Sequence, residues 1–401
     1  MVVQALGAAR TMSPDDLQRN SLQSDEAYQD QILPAVSRTF ALTIPELPPE
    51  LRTSVTNAYL LCRIADTIED EPALPPDASL HFLQRFVAVL YGHEPAAQLS
   101  RDLLPRLSGQ TLQAEHDLVA NIERVVRVTN SLDGQQRLAI QRCVEVMAGG
   151  MHQFQQTASL RGVPRLTDLD DYCYYVAGVV GQMLTELFCG YSLEIARHRA
   201  QLQELDVSFA QGLQMTNILK DVWEDRGRGA CWMPQETFSK YGIDLGQLVP
   251  GRADGRFDTA MRELVGVAHA HLRNALAYTL LIPRKEPGIR RFCLWALGLA
   301  ILTLRKIAAT PGFSSGRQVK VPRSAVALTR ITTNMTVRSD WMLRRLFDLA
   351  AIGVPLAPAG TVPRPSRPAL HAATSTPELN HAMRSMPIER GARRSEGRSA
   401  L

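Results

Sequence analysis

The recurrence of apolar residues at intervals of three and four is the feature that most limits the fold of this chain. Leu118, Ile122, Val125, Val126 and Val128 are one example, and this spacing places side chains on one face of an α-helix. The pattern runs from about residue 29 to about residue 350, and Pro and Gly cluster between the periodic stretches. Alternating runs of β-branched residues are scarce. The sequence therefore predicts an all-α protein of roughly ten to twelve helices.

Composition and charge exclude several other classes of protein. Hydrophobic residues make up 45% of the 401 residues and charged residues 21%, a mixture that can bury a large core. The formal net charge is only +4, too small to indicate a nucleic-acid partner. None of the six cysteines forms a CxxC pair, which argues against zinc and against a redox motif. Buried thiols in a reduced, cytoplasmic compartment are the better prediction.

The two ends of the chain differ in composition from the periodic region. Residues 1–28 are polar and are predicted to form a flexible N-terminal arm, followed by one helical domain over residues 29–350. Residues 351–401 are rich in proline and arginine, and such a segment buries too little apolar area to offset its chain entropy. We therefore predict a disordered tail. Its seven arginines and three glutamates beyond residue 351 contain the basic excess of the whole chain.

The longest apolar run extends from Phe292 to Leu304 and is flanked by arginine and lysine. Thirteen residues are too few to span a bilayer as a helix, so this run predicts a buried core helix. The N-terminus has no long apolar stretch of the kind that a secretory signal requires. These observations favour a cytoplasmic protein and leave open a peripheral contact with a membrane.

Two short acidic segments, residues 63–70 and 214–225, are the strongest chemical signal. Each contains two aspartates four residues apart, Asp66 with Asp70 and Asp221 with Asp225. On a helix this spacing puts both carboxylates on one face, one turn apart. The flanking residues are apolar, and a carboxylate that faces a core is costly unless a cation neutralises it.

Mg²⁺ is suited to that task because it prefers oxygen ligands and is held by one or two carboxylates together with substrate phosphates. The alternative is that each acidic pair is a solvated helix face. That alternative is the better one for a single pair, but two pairs in apolar helices favour two helices that face each other across a metal and diphosphate site.

At these residues the sequence resembles the squalene and phytoene synthase family over about residues 30–330. Five segments are similar to motifs of that family: Ser37-Arg38-Thr39-Phe40, Asp66-Thr67-Ile68-Glu69-Asp70, Tyr172 to Gly181, Gln214 to Asp225, and Trp232-Met233-Pro234-Gln235-Glu236. The resemblance implies an all-α isoprenoid-synthase helical bundle around a central cavity. It also implies a Mg²⁺-dependent prenyl transferase, which joins two farnesyl diphosphates head to head through presqualene diphosphate.

The resemblance assigns roles residue by residue. The catalytic set is Tyr172, Asp66, Asp70, Asp221 and Asp225. The metal set is Asp66, Glu69, Asp70, Asn217, Asp221 and Asp225. The substrate-binding set is Ser37, Arg38, Phe40, Arg63, Gln214, Asn217, Lys220 and Arg228. A guanidinium grips phosphate oxygens in bidentate fashion, which makes Arg38 and Arg63 candidate diphosphate clamps, and the phenol of Tyr172 can donate or relay a proton.

Two positions depart from the family pattern. Lys220 stands where many relatives have arginine, and the two are not equivalent at a bidentate phosphate site. Ala230 stands where an arginine is common, so that Arg226 or Arg228 is left to substitute for it.

The product depends on whether a hydride reaches the last carbocation. Squalene synthases use NADPH for this step, and Lys320 and Arg323 fall near positions that hold its phosphate. The apolar run that begins at Phe292 resembles the segment near the nicotinamide site, but in it Ala296 and Leu297 replace an expected proline–glutamine pair. We predict squalene, made for sterol or hopanoid biosynthesis by a monomer. The alternatives are a non-reducing phytoene or dehydrosqualene synthase, a non-catalytic prenyl-lipid binder and a helical structural protein; the paired acidic motifs argue against the last two.

Overall fold

The computed structural model describes residues 14–37, 39–251, 254–358 and 360 of the chain. Within these ranges the backbone forms eighteen α-helices and no strand, apart from one isolated bridge between Val163 and Pro234. The α-helices are α1 (Pro14–Val36), α2 (Phe40–Thr43), α3 (Pro49–Glu69), α4 (Pro76–Leu90), α5 (Ala96–Leu103), α6 (Gln113–Ala120), α7 (Ile122–Ser131), α8 (Gly134–Gln155), α9 (Leu166–Cys173), α10 (Val179–Tyr191), α11 (Leu193–Ala196), α12 (Arg199–Lys220), α13 (Val222–Gly227), α14 (Gln235–Ser239), α15 (Gly255–Leu281), α16 (Pro287–Ala309), α17 (Arg323–Thr336) and α18 (Asp340–Ala350). The all-α prediction is confirmed.

The helices are more numerous than the ten to twelve that the sequence predicts. A single residue separates several of them: Asn121 between α6 and α7, Ser192 between α10 and α11, and Asp221 between α12 and α13. Apolar periodicity continues across such a break, because one residue with altered dihedral angles barely changes which side chains face the core. The sequence pattern therefore merges helices that the backbone divides.

The buried apolar side chains form two clusters that meet at the middle of the protein. One cluster is built around α3, α4, α8 and α10, and the other around α12, α15 and α16. Val176 and Phe209 touch both clusters although each is only partly buried. Partly accessible apolar side chains that touch both dry cores mark the boundary between them, where we expect the gap of a central cavity.

Helix α12 contacts α10, α15 and α16 and so lies at the centre of the bundle. Two glycines allow its close approach to neighbours. Gly181 of α10 lies against the backbone carbonyl of Asp206, and a Cβ on Gly212 would stand 2.9 Å from the side chain of Leu272. A larger residue at either position would push α12 away from its partner.

A π-helical turn, Tyr174–Gly178, joins α9 to α10. Such turns contain one residue more than an α-turn and are common at functional sites. This one separates α9, which bears Tyr172 near its end, from α10, in which Val179 and Met183 are buried.

The described ends of the chain pack more extensively than their composition indicates. Helix α1 begins within the predicted arm, and its buried Asp25 forms ion pairs with Arg124 at 2.9 Å and Arg127 at 2.7 Å. At the other end Val354 is buried, and the amide of Ala357 donates to the carbonyl of Gly266 at 3.1 Å. The division into residues 1–28, 29–350 and 351–401 stays a prediction, but ordered contacts continue past residue 350.

Helix α16 is the one helix in the described ranges that is long and apolar enough to cross a membrane, and 67% of its most apolar window is buried inside the protein. Leu297, Ile301 and Leu304 are each at most 2% exposed. The apolar run predicted as a core helix therefore lies among other helices.

We expect a chain that ends after Gly360 to keep the stability of the full chain, and a chain that ends after Ala350 to lose about 2 kcal/mol. The shorter chain lacks Val354 and the hydrogen bond from Ala357 to Gly266. It also lacks the carbonyl of Pro355, which lies 2.8 Å from Nδ1 of His269. Urea unfolding of the three chains measures the difference. Equal midpoints for all three would show that the segment 351–357 contributes nothing.

Candidate active site

The first acidic segment lies at the C-terminal end of α3. Asp66 is in the last turn, and Asp70 caps the helix by donating its amide to the carbonyl of Asp66 at 2.8 Å. Helical geometry therefore holds across the pair, and the two carboxylates share a face as predicted. The opposite face is fixed in the core by Leu61, Ile64 and Ile68, none of which is exposed.

The second acidic segment crosses the junction of α12 and α13. The amide of Asp221 donates to the carbonyl of Asn217 at 2.8 Å, and the amide of Asp225 donates to that of Asp221 at 2.9 Å. The i to i−4 bonding thus continues through the break at Asp221. Asn217, Asp221 and Asp225 are consequently aligned on one face, one turn apart.

The charges of the two segments act on each other, which requires that the two helices end close together. The pKa of Asp225 is raised to about 6, first by burial and then by Asp221, with Asp70 of the other segment adding to the effect. Burial raises the pKa of Asp70, and the positive charges of Arg228 and Arg63 oppose the rise. The structure therefore brings Asp70 and Asp225, which are far apart in sequence, into one electrostatic environment.

At the first segment, burial is the largest cause of the raised carboxylate pKa values. Burial raises the pKa of Asp66 to about 7 even though Arg63 opposes it, and burial raises the pKa of Glu69 to about 8 with help from Asp70 and Asp66. Asp66 nevertheless keeps 37% of its side-chain surface accessible. A carboxylate on the wall of a narrow cleft has this combination of an accessible surface and poor hydration.

The neighbouring Glu71 is a buried acid whose carboxylate accepts several hydrogen bonds. It is buried, which raises its pKa, but hydrogen bonds from Thr111, from the amide of Ala73 at 2.9 Å and from the amide of Ser108 at 2.9 Å bring its pKa below the ordinary value. Glu71 therefore stabilises the loop that it touches. The acids at positions 66, 69 and 70 lack that degree of compensation, and their raised pKa values make them candidates for neutralisation by a cation.

The acidic groups fit a magnesium ion that the substrate helps to hold. Their donors are carboxylate oxygens, the ligands that Mg²⁺ prefers. Among the described residues, no three side chains of the types His, Cys, Asp or Glu are close enough to enclose a metal by themselves. A cation shared between one or two carboxylates and a diphosphate needs no such enclosure.

The basic residues near the site differ in how far they are already engaged. Arg63 is paired with the buried Glu115 and lies 3.8 Å from Asp66. Arg226 donates to the carbonyls of Leu160 at 2.9 Å and Leu248 at 3.0 Å, and so ties two loops together. The exposed Arg228 instead acts on the pKa values of both Asp70 and Asp225.

Tyr172 lies near residues of both acidic segments. It is 8% exposed, and burial raises its pKa well above the ordinary value, with Glu69, Asp70 and Asp225 adding to the rise. Its ring stacks on Trp232 with centroids 4.0 Å apart and meets Phe154 edge to face at 5.4 Å. The phenol is therefore held neutral and rigid beside carboxylates from both helices.

The residues predicted to bind the rest of the substrate are spread around this centre. Ser37 is buried and its Oγ accepts from the amide of Phe40 at 3.0 Å, while the Phe40 ring packs on Tyr59. Gln214 is partly buried on α12. Lys220 forms an ion pair with Asp221 at 3.0 Å. Arg38 lies outside the described residues.

The predicted cofactor residues follow a loop that contacts the second acidic segment. The amide of Gly316 donates to Glu224 at 3.1 Å, and the indole of Trp223 donates to the carbonyl of Phe313 at 2.6 Å. Lys320 and Arg323, a few residues further along, are both exposed. The loop that contacts α13 is thus followed in the chain by two exposed cations.

Several residues that build the site carry no signal of that role in the sequence, although Trp232 lies in a segment that resembles a family motif. Glu115 on α6 engages Arg63, and Gln155 at the end of α8 donates to the carbonyl of Glu69 at 2.8 Å. Phe154 and Trp232 clamp the ring of Tyr172. These partners come from other helices, and only the tertiary packing brings them together.

The chain is similar to a known protein family and to several of its members. The family model described as Squalene/phytoene synthase matches residues 33–325. The squalene synthase of Schizosaccharomyces pombe is 29% identical over 333 residues, which cover 82% of this chain and 69% of the relative. Squalene synthase LSS of Botryococcus braunii is 31% identical, over 80% of this chain and 66% of the relative. The squalene synthase of Eremothecium gossypii is 28% identical, and the match spans 64% of its length.

Solved structures show the same fold. A complex of TcSQS with the ligand E5700 has a TM-score of 0.69 and 26% identity, and the match covers 90% of this chain and 97% of that chain. A dehydrosqualene synthase with a bound ligand has a TM-score of 0.54 at 23% identity, over 80% of this chain and 99% of that chain; at that identity the likeness supports the fold alone.

We expect Asp66→Asn to stabilise the protein in EDTA, by an amount that grows as the pH rises from about 4 to 7 and is constant above. The folded-state pKa of Asp66, about 7, lies above its ordinary value of 3.8. The folded state therefore binds the proton more tightly than the unfolded state, and this stability is lost as the pH rises between those values. Discounted for the 37% exposure, the gain is about 1 kcal/mol near pH 8.

Thermal unfolding across that pH range measures the effect. The matched control is Asp30→Asn, which changes an exposed aspartate of α1. A gain for Asp66→Asn that is independent of pH would contradict the raised pKa.

Proposed function

This chain belongs to the squalene/phytoene synthase family, and we propose that it joins two farnesyl diphosphates head to head and reduces the product to squalene. The proposal rests above all on one feature, the proximity of two aspartate-bearing segments to each other and to Tyr172. The relatives reported above that carry the name squalene synthase favour squalene over phytoene as product. This chain spans about two thirds of the length of these relatives. We therefore base the proposed activity on the residues present in this chain.

The acidic residues would gather the diphosphate end of the substrate. We assign Asp66, Asp70, Asp221 and Asp225 to hold Mg²⁺, with Glu69 and Asn217 beside them. Bound there, Mg²⁺ would stabilise the negative charge on the departing diphosphate. The raised pKa values support this assignment, because a divalent cation relieves the repulsion and poor hydration that raise them.

Arg228 is the residue that we assign to the position that arginine commonly fills in the family. Its charge acts on carboxylates of both segments, whereas Arg226 is committed to two backbone carbonyls. A guanidinium at this point would hold the diphosphate as its C–O bond breaks. Arg63, already paired with Glu115, would orient Asp66 and accept a share of the phosphate charge.

Tyr172 would act at the bond that breaks. Its phenol stays protonated because of burial and three neighbouring carboxylates, so it can donate a hydrogen bond to the diphosphate oxygen that leaves the first farnesyl group. The double bond of the second substrate would then attack the allylic cation and leave a tertiary cation. Loss of a proton from this cation, which the released diphosphate can accept, would close the cyclopropane ring of presqualene diphosphate. The stack on Trp232 fixes the phenol during both events.

The gap between the two apolar cores would enclose the prenyl chains. Val176, Val180, Leu184 and Phe209 are partly buried side chains packed against those cores. Their hydrocarbon surface offers no nucleophile to a carbocation, and it excludes water that would quench one. This wall would therefore guide the rearrangement to the linear product.

We assign Lys320 and Arg323 to the phosphates of NADPH, which when bound would supply the hydride that ends the reaction. Both are exposed next to the loop that contacts Glu224, so they are free to take an anionic ligand at the edge of the site. We also propose a reduced, cytoplasmic setting, because all six cysteines are buried and unpaired.

Asp66→Asn and Asp221→Asn are each expected to lower turnover about 100-fold or more with saturating Mg²⁺ and farnesyl diphosphate. Each change removes an oxygen charge that holds the cation on the leaving group. Release of diphosphate measures turnover, and Asp30→Asn serves as the control. Near wild-type activity in either variant would remove that helix from the proposed metal site.

Lys320→Ala is expected to raise the KM for NADPH about tenfold without slowing formation of presqualene diphosphate, because one charge-assisted phosphate contact is lost. Lys285→Ala, at a lysine that is paired with Glu194, is the matched control. Extraction of products with and without NADPH separates the two steps. A dehydrosqualene or phytoene product that is indifferent to NADPH would overturn the reductive step and leave the condensation standing.

A further inference from the structure

Helix α17 has the reverse of the polarity expected for a helix on a protein surface. Its buried side chains are Thr333 and Thr336, and no aliphatic residue of the helix is buried. Its outward side presents Leu328, Ile331 and Met335, which are 60%, 57% and 80% exposed. These three follow at intervals of three and four, so they form one continuous apolar stripe. An apolar stripe in water destabilises the surface that bears it unless something covers it.

Helix α18 extends the stripe. It contacts α17, and both helices pack on α16. Leu343 and Phe347 anchor α18 in the core, while Trp341, Leu349 and Ile352 are 68%, 57% and 59% exposed. Eight of the fourteen large apolar side chains that are exposed in the described part of the chain lie between Leu328 and Leu356. We name Leu328, Ile331, Met335, Trp341, Leu349 and Ile352 the α17–α18 face.

The charges around the face are mostly positive, and Asp348 is the one exposed acid among them. Residues 323–352 contain five arginines and two aspartates. Asp340 is already engaged by Arg284 at 2.7 Å and Arg290 at 2.8 Å. Arg338 and Arg344 are exposed, and the guanidinium of Arg345 lies 5.8 Å from the centre of the Trp341 ring. The apolar stripe is thus bordered by cations with little to balance them.

We propose that the α17–α18 face docks this protein on the surface of a bilayer that contains anionic lipids. Exposed leucine, isoleucine and methionine side chains would enter the boundary between headgroups and acyl chains, and the arginines would remain at the phosphates. Trp341 suits the same boundary because its ring is apolar and its N–H is polar. The protein would lie on the membrane through this face, with α16 buried behind it.

A second copy of the chain is a poorer occupant. A twofold contact would set the same arginine-bordered face against itself, and like charges would then oppose each other across the interface. An anionic surface meets the apolar and the basic groups together. The inference uses only surface residues, and it holds whether or not the chemistry proposed above is correct.

The test is sedimentation of the full chain with vesicles of phosphatidylcholine, with and without phosphatidylglycerol, at low and at high salt. We expect binding to the anionic vesicles that weakens with salt. Ile331→Ser with Met335→Ser is expected to lower the partition about tenfold, and Arg338→Gln with Arg344→Gln roughly 30-fold at low salt. Farnesyl transfer in detergent-free buffer should be unchanged in both variants.

Matched controls change exposed residues elsewhere: Leu193→Ser, at an apolar side chain that is 86% exposed, and Arg101→Gln with Arg262→Gln, at two exposed arginines. These should bind like the unaltered chain. Brominated lipids should quench the fluorescence of Trp341, and Trp341→Phe should remove most of that quenching while the protein still sediments with vesicles. Circular dichroism confirms that each variant is folded.

Three results would overturn the proposal. One is the absence of binding to anionic vesicles at low salt. Another is an equal loss of binding in the control variants, which would make the attraction non-specific. The third is a dimer, seen by light scattering, that Ile331→Ser with Met335→Ser dissociates, since a second copy would then be the occupant of the face.

Discussion

The repulsion among carboxylates at two helix ends is the constraint on which the rest of this structure depends. Asp66 and Asp70 end α3, and Asp221 and Asp225 span the junction of α12 and α13. Gathering such groups where water is scarce costs free energy that nothing in the protein fully returns. The helices tolerate it because their other faces are fixed in two separate cores. Stability supplied elsewhere thus maintains an arrangement that only a cation and an anionic ligand complete.

The surrounding contacts limit that repulsion without removing it. Arg63 is shared between Glu115 and Asp66, so its charge is only partly available to the acidic pair. Arg228 stands between both segments and is free at the surface. Glu224, by contrast, is held by the amide of Gly316. The site therefore contains two kinds of acid. Those with hydrogen-bond partners stabilise the fold, and those without sufficient partners are available to a ligand.

The sequence predicts those parts of this arrangement that depend on residues close together in the chain. The i to i+4 spacing of Asp221 and Asp225 is local, and the backbone bonds that it requires are present. The burial of α16 follows from its composition. Glu115, Gln155 and the stack of Tyr172 on Trp232 depend on where distant helices meet, which periodicity does not encode. The reversed polarity of α17 is beyond periodicity for a related reason, since an apolar stripe ordinarily indicates a buried face.

The π-helical turn at Tyr174–Gly178 has a consequence for how this fold can vary. The turn adds one residue to an otherwise continuous helix, so everything after it is rotated by about 100° relative to an uninterrupted α-helix. That rotation lets one helix direct Tyr172 toward the acids and Val180 and Leu184 toward the apolar gap. Loss of a single residue here would shift the register of a dozen others at once. A lineage could therefore exchange side chains along this helix freely, but it could change the helix's length only by rebuilding the cavity.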